Sequence, residues 1–238
     1  MSASLAAQEN FILIDPDTDR SILEIGAQID EKITPCSTFK IVLCLMGFDS
    51  GILQSEIAPA WSYQTGYSDY LESWKTDQTP RSWIKDSCVW YSQVLATRLG
   101  ADTLQNYLAS FAYGNQDLSG DETEAPWISS SLKISPRGQV EFLRNMLQGR
   151  LSVSKDAQQI TKELLFVEEL QEGWKLFGKT GTGTIHQQDS SIKVSWLVGW
   201  IEIQEKSFPF AYQVRGSWVD RSLRIQRVKE LLEICRAY

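Results

Sequence analysis

The sequence predicts an α+β fold: one mostly antiparallel sheet formed by both chain ends with packed helices, plus an inserted helical domain. Three observations carry this. Two short β-type runs open the chain, helical periodicities fill its middle, and aromatic-rich β runs return near its end before a closing amphipathic segment. The length of 238 residues suits one large domain or two interleaved small ones. We expect a discontinuous sheet domain at 1–34 and 152–238, a helical domain at 35–151, and an active site between them.

Asn10–Ile14 and Ser21–Ile25 read as strands joined by a turn at Asp15-Pro16-Asp17-Thr18-Asp19. Cys36 to Phe48 reads as a helix apolar nearly all the way round, hence buried on every side, and stopped by Asp49-Ser50-Gly51. Gln54 to Pro80 is irregular and rich in Trp and Tyr. Helices are expected at Val89–Leu99 and Asp102–Phe111, then a loop from Tyr113 to Trp127. Ser135-Pro136 starts a helix running to Gly149, because Pro suits the first helical position. Another helix covers Asp156 to about Phe166. Strands follow at Trp174–Thr182, Ile192–Ile203 and Phe208–Val214, and a helix at Arg221–Cys235.

A formal charge of -7 with no Lys/Arg cluster argues against nucleic acid or an anionic membrane as partner. No apolar run is long enough for a membrane span. The start, Met1-Ser2-Ala3-Ser4-Leu5-Ala6-Ala7, lacks a signal peptide's basic and apolar regions, but its small residues resemble the end of one. The expectation is a mature exported chain, periplasmic or secreted. With one His and no C-x-x-C, a zinc site is not expected. Cys36, Cys44, Cys88 and Cys235 read as small buried hydrophobes. Cys36 and Cys44 lie too far apart to bridge, while a Cys36–Cys88 bridge stays open.

Two polar residues interrupt the apolar helix, Ser37 and Lys40, one turn apart on one face. Desolvation disfavours an ammonium there, and a neutral amine beside a hydroxyl is a general base beside a nucleophile. Lys179-Thr180-Gly181-Thr182 ends a predicted strand. A Lys, a hydroxyl and a Gly on a sheet edge can hold a carboxylate while the backbone pairs with an amide-bearing ligand. Ser87, taken alone, is most simply a helix N-cap. His186, the single His, lies in a polar stretch with no G-x-S-x-G partner, so a Ser-His-Asp hydrolase is disfavoured.

Ser37-Thr38-Phe39-Lys40, Ser87-Cys88-Val89, Tyr113-Gly114-Asn115 and Lys179-Thr180-Gly181 stand in the order and approximate spacing of the class D, oxacillinase-type, β-lactamases. The chain resembles that family over nearly its whole length, including Trp127, the Gln139–Leu143 helix and Trp196-Leu197-Val198-Gly199-Trp200. The resemblance implies hydrolysis of penicillin-type β-lactams through an acyl-enzyme on Ser37. The backbone N–H groups of Ser37 and Thr182 would form the oxyanion hole. Lys40 would carry carbon dioxide as a covalent adduct (N6-carboxylysine), with no other cofactor and no metal, and Trp127 would donate its indole N–H to it. Ser87 and Lys179 would pass a proton to the departing nitrogen. Val89, Thr180, Gly181, Thr182 and Arg224 would contact substrate, with Arg221 an alternative to Arg224 as carboxylate grip. Val89 stands where S-x-N enzymes carry Asn, and Thr182 where the family usually has an aromatic residue. The main alternative is a non-hydrolysing β-lactam sensor domain acylated at the same serine; a penicillin-binding transpeptidase would show S-x-N. The oligomeric state stays open, a homodimer included.

Overall fold

The computed structural model describes residues 7–120, 125–129, 131–186 and 191–235, without the side chains of Ser129, His186, Ile234 and Cys235. His186 and the Cys235 thiol, assigned above from sequence, therefore lie outside the described side chains.

The strands are β1 (Gln8–Ile14), β2 (Ser21–Ile25), β3 (Phe166–Glu169), β4 (Lys175–His186), β5 (Ser191–Ile203) and β6 (Lys206–Arg215). They form one antiparallel sheet in the order β2-β1-β6-β5-β4-β3. Both chain ends build it, as the sequence predicts. One strand goes beyond the prediction: β3 follows the preceding helix directly and pairs with β4 only from Lys175 to Phe177, across a bulge. The helices are α1 (Lys40–Asp49), α2 (Pro80–Asp86), α3 (Val89–Leu99), α4 (Ala101–Ser110), α5 (Pro126–Ser129), α6 (Pro136–Leu147), α7 (Lys155–Leu164) and α8 (Arg221–Cys235).

The two-residue period of β5 decides what each sheet face covers. Val194, Trp196, Val198 and Trp200 join a large core with α1, α3 and α6, whereas Leu197 and Ile201 join a smaller core with Ile225, Val228, Leu231 and Leu232 of α8. The sheet thus separates the inserted helical block from the C-terminal helix. Residues paired across two antiparallel strands share a face. Lys179, Gly181 and Gly183 pair with Val198, Trp196 and Val194 and so face the helical block. Thr180 and Thr182 pair with Leu197 and Ser195 and so face the α8 side. That alternation puts the Lys and the hydroxyls of the K-T-G-T stretch on opposite faces of one strand.

α1 is buried around its whole circumference from Lys40 to Gly47, as its composition predicts. Trp74, Trp83, Trp90, Trp127, Trp196 and Trp200 are likewise buried. α2 lies in a stretch for which the sequence reading assigned no helix. It starts with a reciprocal cap in which Thr79 Oγ1 accepts from Ser82 N and Ser82 Oγ accepts from Thr79 N, with Pro80 following. No helix among the described residues is long and apolar enough to cross a membrane.

Candidate active site

Ser37 sits on a turn, not inside an α-helix. Cys36–Phe39 form a single 3-10 turn that feeds α1, and Cys36 has a positive φ of 52°. In 3-10 geometry residues three apart eclipse each other, which puts Ser37 and Lys40 in line on one face of the turn. Lys40 Nζ donates to Ser37 Oγ at 3.2 Å. Ser37 is half-buried, while Lys40 is 1% exposed. Burial brings the Lys40 amine down to about 7, resisted only by the nearby Cys88 and Cys36 thiols.

The turn is held from both sides. Thr38 Oγ1 donates to Pro35 O at 2.7 Å and accepts from Gln139 Nε2 at 2.9 Å. Tyr113 OH in turn donates to Gln139 Oε1 at 3.3 Å. Tyr113 and Gln139 are both buried, so this is an internal chain from α6 to the turn that carries Ser37. Tyr113-Gly114-Asn115 thereby gains a structural role. Gly114 has φ +60°, and a Cβ there would lie 2.2 Å from Lys133 O. Sequence reasoning did not assign a role to Gln139; a lone Gln on the buried face of an amphipathic helix was the available signal.

Thr34 Oγ1 donates to the carbonyls of Trp127 and Ile128 at 2.8 and 2.9 Å, tying α5 to the same turn. The Trp127 ring lies against Phe39, 5.1 Å between centroids, one residue before Lys40. Opposite, β4 packs its face onto the turn with no side chain between. A Cβ on Gly181 would lie 2.9 Å from Pro35 O and 3.2 Å from Ser37 N, and one on Gly183 would lie 2.7 Å from Cys36 Sγ. The alternating Gly181-Thr182-Gly183 is the sequence signal of that close approach.

Ser87 arrives from α2. It is the C-cap of that helix, left-handed at φ 58°, and Cys88 is the residue that precedes α3. The N-cap reading is thus corrected: a two-residue joint between helices gives the N-cap to Cys88. A left-handed non-glycine residue is uncommon and concentrates at functional sites. Lys179 Nζ donates to Ser87 Oγ at 3.0 Å and to Thr180 O at 3.2 Å. Lys179 is 4% exposed and its amine is pushed well below its ordinary value, first by burial and then by the positive charges of Lys40, Arg221 and Arg224. Val89 opens α3 beside Ser87, half-buried against the large core.

Arg224 comes from the α8 side. Its Nη1 donates to Gly181 O and Trp196 O, both at 2.8 Å, while its Nε is buried without a partner. Burial, then Arg221, lowers its guanidinium to about 10. Arg221 lies with Thr180 and Lys179 along a cavity at the edge of β4. Cys36, Cys44 and Cys88 are all free and buried, so Cys36 and Cys88 are not bridged. Among the described residues no cluster of His, Cys, Asp or Glu could hold a metal ion.

The family model for the penicillin binding protein transpeptidase domain matches residues 11–232. Beta-lactamase OXA-9 of Klebsiella pneumoniae is 37% identical over 210 residues, covering 84% of this chain and 76% of that protein. The crystal structure of the OXA-427 class D β-lactamase superposes with a TM-score of 0.85 at 34% identity, covering 95% of this chain and 99% of that one. The methicillin resistance mecR1 protein of Staphylococcus aureus is 31% identical over 201 residues, 84% of this chain but 33% of that protein. The chain belongs to the penicillin-binding transpeptidase-domain family, with its mixed sheet-and-helix architecture. Within that family it falls among the class D β-lactamases, which are serine hydrolases.

Proposed function

We propose that this protein opens the β-lactam ring of penicillin-type antibiotics through an acyl-enzyme on Ser37, with carboxylated Lys40 as general base. The observation that carries this is the Ser37–Lys40 contact of 3.2 Å, at an amine that burial brings to about 7. Only an unprotonated amine combines with carbon dioxide, and a desolvated site between neutral thiols favours that form. The adduct would supply an anionic base where an ammonium could supply none. Ser37 Oγ attacks the lactam carbonyl as its proton leaves toward Lys40. The N–H groups of Ser37 and Thr182 receive the developing oxyanion, a pairing supported by the approach of Gly181 to Ser37 N. Lys179 and Ser87 carry a proton to the nitrogen that leaves. Thr180 with Arg224 or Arg221 holds the substrate carboxylate, and of the two Arg221 lies beside Thr180 in the cavity. Trp127, stacked on Phe39, would donate its indole N–H to the base that activates the deacylating water. Membership of the class also supports an exported location.

Steady-state hydrolysis of benzylpenicillin at several pH values, with and without added bicarbonate, tests the reading. Below about pH 7 the Lys40 amine is protonated and reacts with nothing, so the rate is expected to rise as pH rises through about 7. Bicarbonate should raise the rate most near that value. A rate indifferent to both would remove Lys40 from the role of base.

A second reading, a domain acylated at Ser37 without turnover, is motivated by the similarity to the much longer methicillin-resistance protein. A burst of one equivalent of chromogenic cephalosporin with no steady phase would establish it. Val89 in place of Asn after Ser87 favours the hydrolase.

A further inference from the structure

The cleft continues past Lys179. Where β3 stops pairing, a cavity of about 310 Å³ opens at the edge of β4, walled by Gly178, Lys179 and Thr180. Its floor is apolar: Leu197 and Ile225 are buried, and Leu164 and Val167 half-buried. Its rim carries three exposed cations, Arg81, Lys85 and Arg221, against one acid, Glu163. Arg81 is paired with Glu56, and Glu163 accepts from Gln159 Nε2 at 2.8 Å. Lys85 and Arg221 have no ion-pair partner among the described residues.

The chemistry of the ring decides which part of a substrate faces this space. The lactam nitrogen must face Ser87 and Lys179 to be protonated, and the carbon bearing the carboxylate is bonded to that nitrogen. That half of the bicycle therefore lies toward Thr180, and the acyl side chain runs the other way, toward Gly183. In a cephalosporin the C3 substituent sits on the carbon next to the one bearing the carboxylate, and so extends beyond Thr180 into the cavity.

We propose that this cavity is a subsite for the C3 substituent of cephalosporins that carry an acidic heteroaromatic ring there. The apolar floor receives the ring, and Lys85 and Arg221 meet its acid. The proposal rests on the β-lactamase reading above. It makes substrate choice depend on charge at a position remote from the bond broken, and thus on ionic strength.

The test uses two cephalosporins with the same acyl side chain and matched heteroaromatic C3 groups, one neutral and one sulfonated. At low salt the sulfonated compound should have the lower KM. Lys85→Gln should narrow that advantage about two- to five-fold, the worth of one exposed charge contact, and Lys85→Glu should reverse it. Lys85 is exposed and in the last turn of α2, so neither change disturbs the core. Benzylpenicillin, which has no C3 heteroaromatic group, should keep its kcat and KM in both variants. An unchanged KM ratio in both variants overturns the subsite, and so does an equal shift for benzylpenicillin. If benzylpenicillin is not hydrolysed at all, the catalytic reading fails instead. Calorimetric binding of the sulfonated compound to Ser37→Ala then decides the subsite, which stands if affinity depends on Lys85 and falls if it does not.

Discussion

Two lysines are buried in this cleft, and they are unlike in what surrounds them. Lys40 sits among apolar groups and neutral thiols, and burial is what depresses it. Lys179 sits among cations, and after burial the charges of Lys40, Arg221 and Arg224 depress it. Each donates to a serine, Ser37 and Ser87 respectively. On the proposed mechanism that difference separates a base from an acid. An amine depressed by desolvation gives up its proton near neutral pH, and until then its charged form repels Lys179. An amine surrounded by like charge regains its proton once one neighbour changes sign. An anionic adduct on Lys40 would do that, converting a repulsion on Lys179 into an attraction. Forming the base and arming the proton donor then become one event.

The largest expected effect breaks the comparison at Lys40. Lys40→Ala should lower turnover toward the upper end of the about 10²–10⁴-fold range for loss of a general base, with bicarbonate unable to rescue it. Mass spectrometry of the variant with penicillin checks whether any acyl-enzyme formed persists. Stability should move the opposite way. Lys40 titrates near 7 when folded against 10.5 ordinarily, so between those values the unfolded chain binds the extra proton. Stability of the unmodified chain therefore rises with pH across that window. Lys40→Met should flatten that slope and raise Tm at pH 7, by about 2–4 °C per kcal/mol recovered. An unchanged Tm and an unchanged slope would mean that burial of this amine costs nothing.

Much of this was legible in the sequence, and what was missed shares a cause. The two-ended sheet could be read because β1 and β5 are long runs whose apolar residues fix both faces. The continuous apolar run after Lys40 likewise announced a helix buried all round. β3 escaped because Phe166-Val167-Glu168-Glu169 continues directly from α7 and holds only a few ladder pairs. α2 escaped because a seven-residue helix within an aromatic-rich stretch has too few turns to show a period, although its Thr79-Pro80 start is a capping signal. Spacing singled out Ser37 with Lys40, and the family resemblance set Ser87 with Lys179; the structure brings each pair within hydrogen-bond distance. What spacing does not show is that Gly181, on the same face of β4 two residues on from Lys179, meets the Ser37 turn, because that contact joins segments distant in sequence. The role of Gln139 was hidden for the same reason, since its partners Thr38 and Tyr113 are distant in sequence.

The next effect sharpens the contrast from the other side. Lys179→Ala leaves the Ser37–Lys40 contact in place but removes the donor to Ser87. It should slow acylation about 10²-fold, because the leaving nitrogen is no longer protonated, and change deacylation far less. Stopped-flow measurement of the two steps separates them. An equal slowing of both would mean that Lys179 supports Lys40 directly and that the division into base and acid is wrong.

The smallest effect concerns the indole beside the base. Trp127→Ala would empty a buried ring site against Phe39 and mix packing loss with chemistry, whereas Trp127→Phe keeps an aromatic ring there and removes the N–H. If the indole donates to an anion on Lys40, Trp127→Phe loses one charge-assisted hydrogen bond of roughly 1.5 kcal/mol, about ten-fold in rate. The loss should fall on deacylation, where the base must activate water without the substrate nitrogen to help, so acyl-enzyme accumulates. It should also raise the bicarbonate concentration needed for half-maximal rate, since the adduct is then less stabilised. Equal losses in acylation and deacylation, at an unchanged bicarbonate requirement, would assign Trp127 to packing and leave the low-dielectric surroundings of Lys40 as the whole reason the amine can act.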